Sequence, residues 1–312
     1  MALFLGIDLA WGLGGRRPPN ETGLCALDET GCILDAGWTR GPGAVDEWVG
    51  TMLAQHRAAG ETVVIAIDAP LIVPNETGMR ACERDVGRCY GRWKVGANAS
   101  NRALASRAGE VLLELLEQRG VAYTDGTTPA APGAAVAFEC YPYTTLVGVD
   151  AFGYDDERPR YKRLDRSIAS SEAKLRRAAA TDELILRLDR LAEADADPRL
   201  DVRSHAVTAE IAATLTPPSG EKTRKHREDL IDAALCAYTA AFWHRHGSAR
   251  TQALGTLDPA TVDRDARGRV ASIVAPARRT ARASQWRAHW GAARPVDSSS
   301  RHEHPSTSTV EA

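Results

Sequence analysis

The chain opens on a short apolar run, Leu3 to Leu9, interrupted by Asp8 and followed by Gly12, Gly14 and Gly15. That pattern predicts a buried strand entering a loop. Thr22–Leu27 and Cys32–Trp38 flank the turn-forming residues Asp28-Glu29-Thr30-Gly31, and this predicts a β-hairpin returning beside the first strand. Val45, Trp48, Val49, Met52 and Leu53 recur at helical spacing between about residues 44 and 58. Val63-Val64-Ile65-Ala66-Ile67 is a continuous, mostly β-branched run, as in strands buried on both faces, and it ends in Asp68-Ala69-Pro70. Helices are predicted at about residues 77–93, 102–118, 171–194 and 203–214, and a further strand at 135–140 carries Glu139. Lys225 to Phe242 reads as a helix whose Leu230, Ile231, Ala234, Leu235, Tyr238 and Phe242 meet a core, with Asp229 and Asp232 leaving one face at its first turn. Gly268 to Val274 predicts a final edge strand.

Strands alternating with helices indicate an α/β protein. The expected organisation is one domain over about residues 1–275, with a helical insertion near 142–221 ahead of the acidic helix. From about residue 281 to 312 apolar periodicity is lost, which predicts a disordered tail. Trp286 and Trp290, four apart, fit a short docking helix within it.

At 312 residues and 44% hydrophobic content the chain can bury a substantial core. Its 39 basic and 41 acidic residues nearly cancel, so a nucleic-acid partner would be met by local basic patches. The start of the chain lacks a basic segment and meets Asp8 early, and no apolar run has the length of a membrane span, so a cytoplasmic protein is expected. Six cysteines without a Cys-x-x-Cys pair read as buried thiols.

The candidate chemistry is acidic. Strands ending in Asp8 and Asp68 would set both carboxylates along one edge of the sheet, where open α/β sheets bind ligands. Arg80, Arg84, Arg88 and Arg92 stand at successive i+4 positions, forming either a phosphate-binding stripe or a solvated face paired with Glu76, Glu83 and Asp85. Arg160, Lys162 and Arg163 lie in a basic stretch with interleaved aromatics, a second phosphate-contact candidate or a surface loop. The pentapeptide Pro-Asn-Glu-Thr-Gly occurs twice, at 19–23 and 74–78.

Taken in order, Gly6-Ile7-Asp8-Leu9-Ala10-Trp11, Ile67-Asp68-Ala69-Pro70, Glu139-Cys140-Tyr141-Pro142 and His226-Arg227-Glu228-Asp229-Leu230-Ile231-Asp232-Ala233 resemble the family known as domain of unknown function 429. Its members are predicted nucleases of the ribonuclease-H-like fold. The ending from His226 to Ala233 is also similar to bacterial Holliday-junction resolvases, with Asp68 standing where those carry Glu. The resemblance covers roughly residues 3–245. It implies a mixed five-stranded sheet flanked by helices and a metal-dependent nuclease acting on DNA or RNA. All-oxygen donors suit Mg²⁺ or Mn²⁺. In that scheme Asp8 bridges two metal ions, Asp68 and Glu139 complete one side, and Asp229 and Asp232 close the other, while Lys225 or His226 contacts the phosphate or shuttles a proton. Two further readings stay open. Gly12-Leu13-Gly14-Gly15 after the first strand is similar to the phosphate hairpin of sugar kinases and actin-like ATPases, and a catalytically silent nucleic-acid binding module would keep the fold without the metal.

Overall fold

The structure, a computed structural model, describes residues 1–14, 18–104, 107–193, 195–213 and 220–278. Gly15, the Pro217–Ser219 break and the predicted tail with Trp286 and Trp290 lie outside the described residues.

A mixed six-stranded sheet runs in the order β3-β2-β1-β4-β6-β5. Its strands are β1 (Ala2–Asp8), β2 (Glu21–Asp28), β3 (Ile33–Arg40), β4 (Thr62–Ile67), β5 (Ala122–Tyr123) and β6 (Ala135–Glu139). Pairing is antiparallel across β3-β2-β1 and parallel across β1-β4-β6-β5. Five strands were expected. The sixth, β5, is a two-residue edge strand, too short to carry a period-two signal.

Side chains alternate across the pleat and divide the interior in two. Leu3, Leu5, Ile7, Val63, Ile65, Ile67, Ala135 and Ala137 face a core shared with α1 (Gly41–Arg57) and α3 (Ala108–Gln118). Phe4, Val64, Ala66, Val136 and Phe138 face the other core, which is covered by α7 (Glu221–His246) together with α2 (Ala81–Tyr90), α4 (Pro142–Gly148) and α5 (Ser170–Asp189). The helices α4, α5 and α6 (Ala206–Ala213) lie between β6 and α7.

Three expectations are corrected. The helix expected at 77–93 is regular only over Ala81–Tyr90 and continues as a 3-10 turn through Trp93. The strand expected at 268–274 forms instead at Ile273–Pro276 (β8), paired antiparallel with Thr251–Leu254 (β7) in a separate two-stranded ribbon. Finally, α7 begins at Glu221, so Asp229 and Asp232 stand beyond its first turn, where the helix dipole does little for them. Of the six thiols, Cys32 is exposed and Cys89 partly so, and the other four are buried.

The two Pro-Asn-Glu-Thr-Gly copies do unrelated work. The first enters β2, where Thr22 Oγ1 accepts from Ala10 N at 3.1 Å. The second is a loop in which Asn75 Nδ2 donates to the carbonyls of Thr77, Gly78 and Ser100.

The α7 helix lies unusually close to the sheet because small residues face each other. A β-carbon on Gly6 would stand 2.0 Å from Ala233 O and 2.2 Å from Ala237 N, and one on Gly23 would stand 2.0 Å from Asp229 O. Backbone cannot yield as a flexible side chain does, so Gly6→Ala is expected to lower unfolding free energy by about 3 kcal/mol or more, measured by urea denaturation. Gly37→Ala, where a β-carbon meets nothing within 4 Å, is the control, expected to change stability by less than about 1 kcal/mol.

Candidate functional site

Asp8 closes β1, and Asp68 follows the last residue of β4, with Ile7 registered against Ile67. Both have even numbers, in phase with Phe4, Gly6, Val64 and Ala66, and so both belong to the α7 side of the sheet. Facing them, α7 carries Asp229 and Asp232, 2% and 1% exposed. Asp229 lies close enough to Asp8 for the two carboxyls to interact. Four of the five expected acids therefore come together.

Glu139 does not join them in the expected way. It is registered against Ile67 at the end of β6 and lines a small cavity together with Asp68, Arg80, Glu83 and Tyr141. There its carboxylate is saturated. Arg80 Nη1 and Nη2 donate to it at 2.8 and 2.7 Å, and Leu71 N donates at 3.0 Å. Arg80 also binds Glu83 Oε1 through Nε at 2.8 Å and Ile72 O through Nη1 at 3.0 Å. Being 1% exposed, it cannot meet an external phosphate. The arginine stripe is thus reduced to Arg84, Arg88 and Arg92, all exposed. Arg88 pairs with Asp85 at 3.3 Å, and the Arg92 guanidinium lies 4.3 Å from the Trp93 ring centre.

The second basic stretch divides likewise. Arg160 and Arg163 are exposed, Arg160 being paired with Glu157 and Asp165. Lys162 turns inward. Its Nζ lies 2.6 Å from Asp232 Oδ2 and interacts with Asp68 and Asp8 as well. The adjacent Tyr161, fully buried, donates its hydroxyl to Asp232 Oδ1 at 2.5 Å. Lys225 pairs with Asp229 and with Glu228, which Arg224 also neutralises.

These contacts leave the cluster short of positive charge. Four carboxylates (Asp8, Asp68, Asp229 and Asp232) face two ammoniums (Lys162 and Lys225), and full ionisation leaves two negative charges. Burial, then Asp232 and Asp68, hold the Asp8 carboxyl well above its ordinary range. Asp68 is pushed up to about 7, first by burial and then by Asp232 and Glu139, against the pull of Lys162. Burial also raises Asp229 and Asp232, opposed by Lys225 and Lys162 respectively. Burial would lower Lys162, but Asp232, Asp68 and Asp8 outweigh it and keep the ammonium charged. Among the described residues neither Asp8 nor Asp68 has an ion pair within 4 Å, and no three His, Cys, Asp or Glu side chains are so placed that they could together hold a metal ion as they stand.

His226 stands at the rim, 40% exposed. Its Nδ1 lies 2.8 Å from Glu21 Oε2, its ring stacks on Trp38 with centroids 3.5 Å apart, and its carbonyl accepts from Trp38 Nε1 at 2.8 Å. Glu21 is held below its ordinary range, first by His226 and also by Arg40. Sequence patterning assigns no site role to Glu21, Tyr161 or Trp38, since each acts only through a partner distant in the chain. Glu139 is different, because its phase relative to Ala135 and Ala137 is written in the sequence.

The chain matches the family described as Protein of unknown function (DUF429) over residues 6–253, and it belongs to that family. No curated protein and no solved structure matches it. Among the described residues no helix is long and apolar enough to cross a membrane.

Two outcomes follow from this geometry. Arg80→Ala leaves Glu83 and Glu139 buried without their cation and is expected to cost about 3–5 kcal/mol of unfolding free energy by urea denaturation. For Asp68, folding raises the pKa and so favours the protonated acid. Its stabilising effect is full below about pH 4 and is lost as pH rises through about 7. In chelator, the melting temperature should fall between pH 5 and 8, and Asp68→Asn should flatten that fall.

Proposed function

We propose that this protein is a metal-dependent nuclease of ribonuclease-H-like fold that hydrolyses phosphodiester bonds in DNA or RNA. The observation that carries this reading is the meeting of Asp8 and Asp68, at adjacent parallel strand ends, with Asp229 and Asp232 on α7, in a cluster holding more carboxylate than ammonium charge. An antiparallel β1-β2-β3 meander, parallel strands beyond β1 and a late acidic helix are the features expected of that fold.

The donor set suits a hard cation: Asp8 and Asp68 are oxygen donors with no ion pair among the described residues, and burial opposes leaving them charged and uncompensated. Mg²⁺ or Mn²⁺ held by Asp8 and Asp68, opposite Asp229 and Asp232, would supply a nucleophile near neutral pH and positive charge for the leaving oxygen. Glu139 is left out of this set, and its part is to fix Arg80 and the Leu71 backbone behind Asp68. Lys225, half exposed above Asp229, contacts the scissile phosphate. His226, with Nδ1 engaged by Glu21, offers Nε2 for proton transfer. Arg84, Arg88, Arg92, Arg160 and Arg163 supply salt-sensitive contacts to flanking phosphates.

A catalytically silent nucleic-acid binding module is the second reading, favoured by the two lysines already lodged among the acids. The kinase-like alternative requires two such domains, and the described residues hold one central sheet of this kind.

Labelled single-stranded, duplex, hybrid and branched substrates incubated with Mg²⁺ or Mn²⁺ test the reading. Wild type is expected to cleave at least one class, and Asp8→Asn to lose that activity by at least about a hundredfold. Binding without cleavage in every metal would favour the silent module, and ATP turnover in place of cleavage would favour the phosphotransferase. Reversing the charge of Arg84 and Arg88 should reduce the slope of log affinity against log salt by about two and leave metal binding unchanged.

A further inference from the structure

We infer that Lys162 is a resident cation of the carboxylate cluster, permanently filling its Asp232 side, so that the site accepts a single divalent ion, on Asp8 and Asp68. This deepens the nuclease reading and rests on it.

Lys162 is not a surface lysine that happens to fold inward. Its Nζ is 2.6 Å from Asp232 Oδ2, with the lysine side chain 18% and the aspartate 1% exposed. The ammonium also lies 5.1 Å from the Tyr143 ring centre and 5.6 Å from that of Tyr161, positions favourable to a cation. The second oxygen of Asp232 is taken by the Tyr161 hydroxyl. A divalent ion at Asp232 would therefore have to displace both an ammonium and a hydroxyl.

The backbone that bears Lys162 is fixed as well. Tyr161 is fully buried and packs edge-on against Tyr143 at 5.5 Å. Upstream, Arg158 N donates to Trp93 O at 3.0 Å, Arg158 Nε donates to Lys94 O at 2.8 Å, and Trp93 Nε1 donates to Asp155 O at 2.9 Å. Glu157 pairs with Lys94 at 2.7 Å. A segment pinned on both its aromatic and its polar side keeps the lysine seated and does not behave as a strap that swings away.

Charge counting agrees with one ion. Lys162 and Lys225 offset two of the four carboxylates, and the remaining two negative charges equal the charge of one Mg²⁺ or Mn²⁺. Asp8 and Asp68, which have no ion pair within 4 Å among the described residues, are the oxygens left to hold it. Lys162 then performs electrostatically what a second ion would, as a point charge needing no binding step.

Titration calorimetry of the full chain with Mn²⁺, joined to electron paramagnetic resonance of the loaded protein, tests this. Wild type is expected to bind one ion per chain and to show the six-line signal of an isolated Mn²⁺. Lys162→Met should bind two, with the broadened signal of a coupled pair and overall affinity at least about tenfold tighter, because a repelling charge is gone. Lys162→Arg should again bind one. Two ions in wild type, or one ion at unchanged affinity in a folded Lys162→Met, overturns the inference while leaving the nuclease reading intact. No binding by either protein overturns both. If Lys162→Met fails to fold, the wild-type stoichiometry and spectrum decide alone.

Discussion

The backbone of α7 runs against β1 and β2 at a distance that only glycine allows. Gly6 faces Ala233 O and Ala237 N, and Gly23 faces Asp229 O, with no room for a β-carbon at either position. That approach sets the height of the helix above the sheet. The height in turn brings Asp229 and Asp232 down to the level of Asp8 and Asp68, where four carboxylates share one partly buried space. Small residues on the inner face of α7 are thus as much a part of the site as the acids, because a bulkier interface would lift the acidic pair away from the strand ends.

Gathering like charges in a low-dielectric space is unfavourable unless cations are supplied. The protein supplies two from outside the sheet, Lys225 from one helical turn above Asp229 and Lys162 from the segment between α4 and α5. It also separates a second acidic centre from the first. Glu83 and Glu139 are locked onto Arg80. Two neighbouring acidic groups thereby have opposite characters: one is internally closed, and the other retains uncompensated charge available to a ligand. In the proposed nuclease, the closed centre is scaffold and the open one carries the chemistry.

The rim follows similar logic. His226 is aligned from two directions, by the Glu21 carboxylate and by the Trp38 ring, both from strands on the antiparallel side of the sheet. The exposed arginines come from α2, from the 3-10 turn that continues it and from the segment bearing Lys162. In the proposed nuclease these arginines would meet phosphates flanking the scissile one, a role that the near-zero net charge of the chain conceals.

Much of this was legible in the chain itself. Continuous apolar runs marked β1, β4 and β6, helical spacing marked α1 and α3, and the position of Asp8 and Asp68 at run ends put them on one edge, because parallel strands align their carboxyl ends. Period-two alternation also sets Glu139 out of phase with Val136 and Phe138, since phase along a strand is a local property. The fate of the basic residues was not legible. Arg80 and Arg84 sit one helical turn apart in similar surroundings, yet one is sealed between two glutamates and the other is exposed. Lys162 and Arg163 are neighbours, yet one is inside the acid cluster and the other outside it. A cation's partner is chosen by whatever carboxylate the fold brings within a few ångströms, often from more than fifty residues away, and local sequence patterning holds no record of that distance.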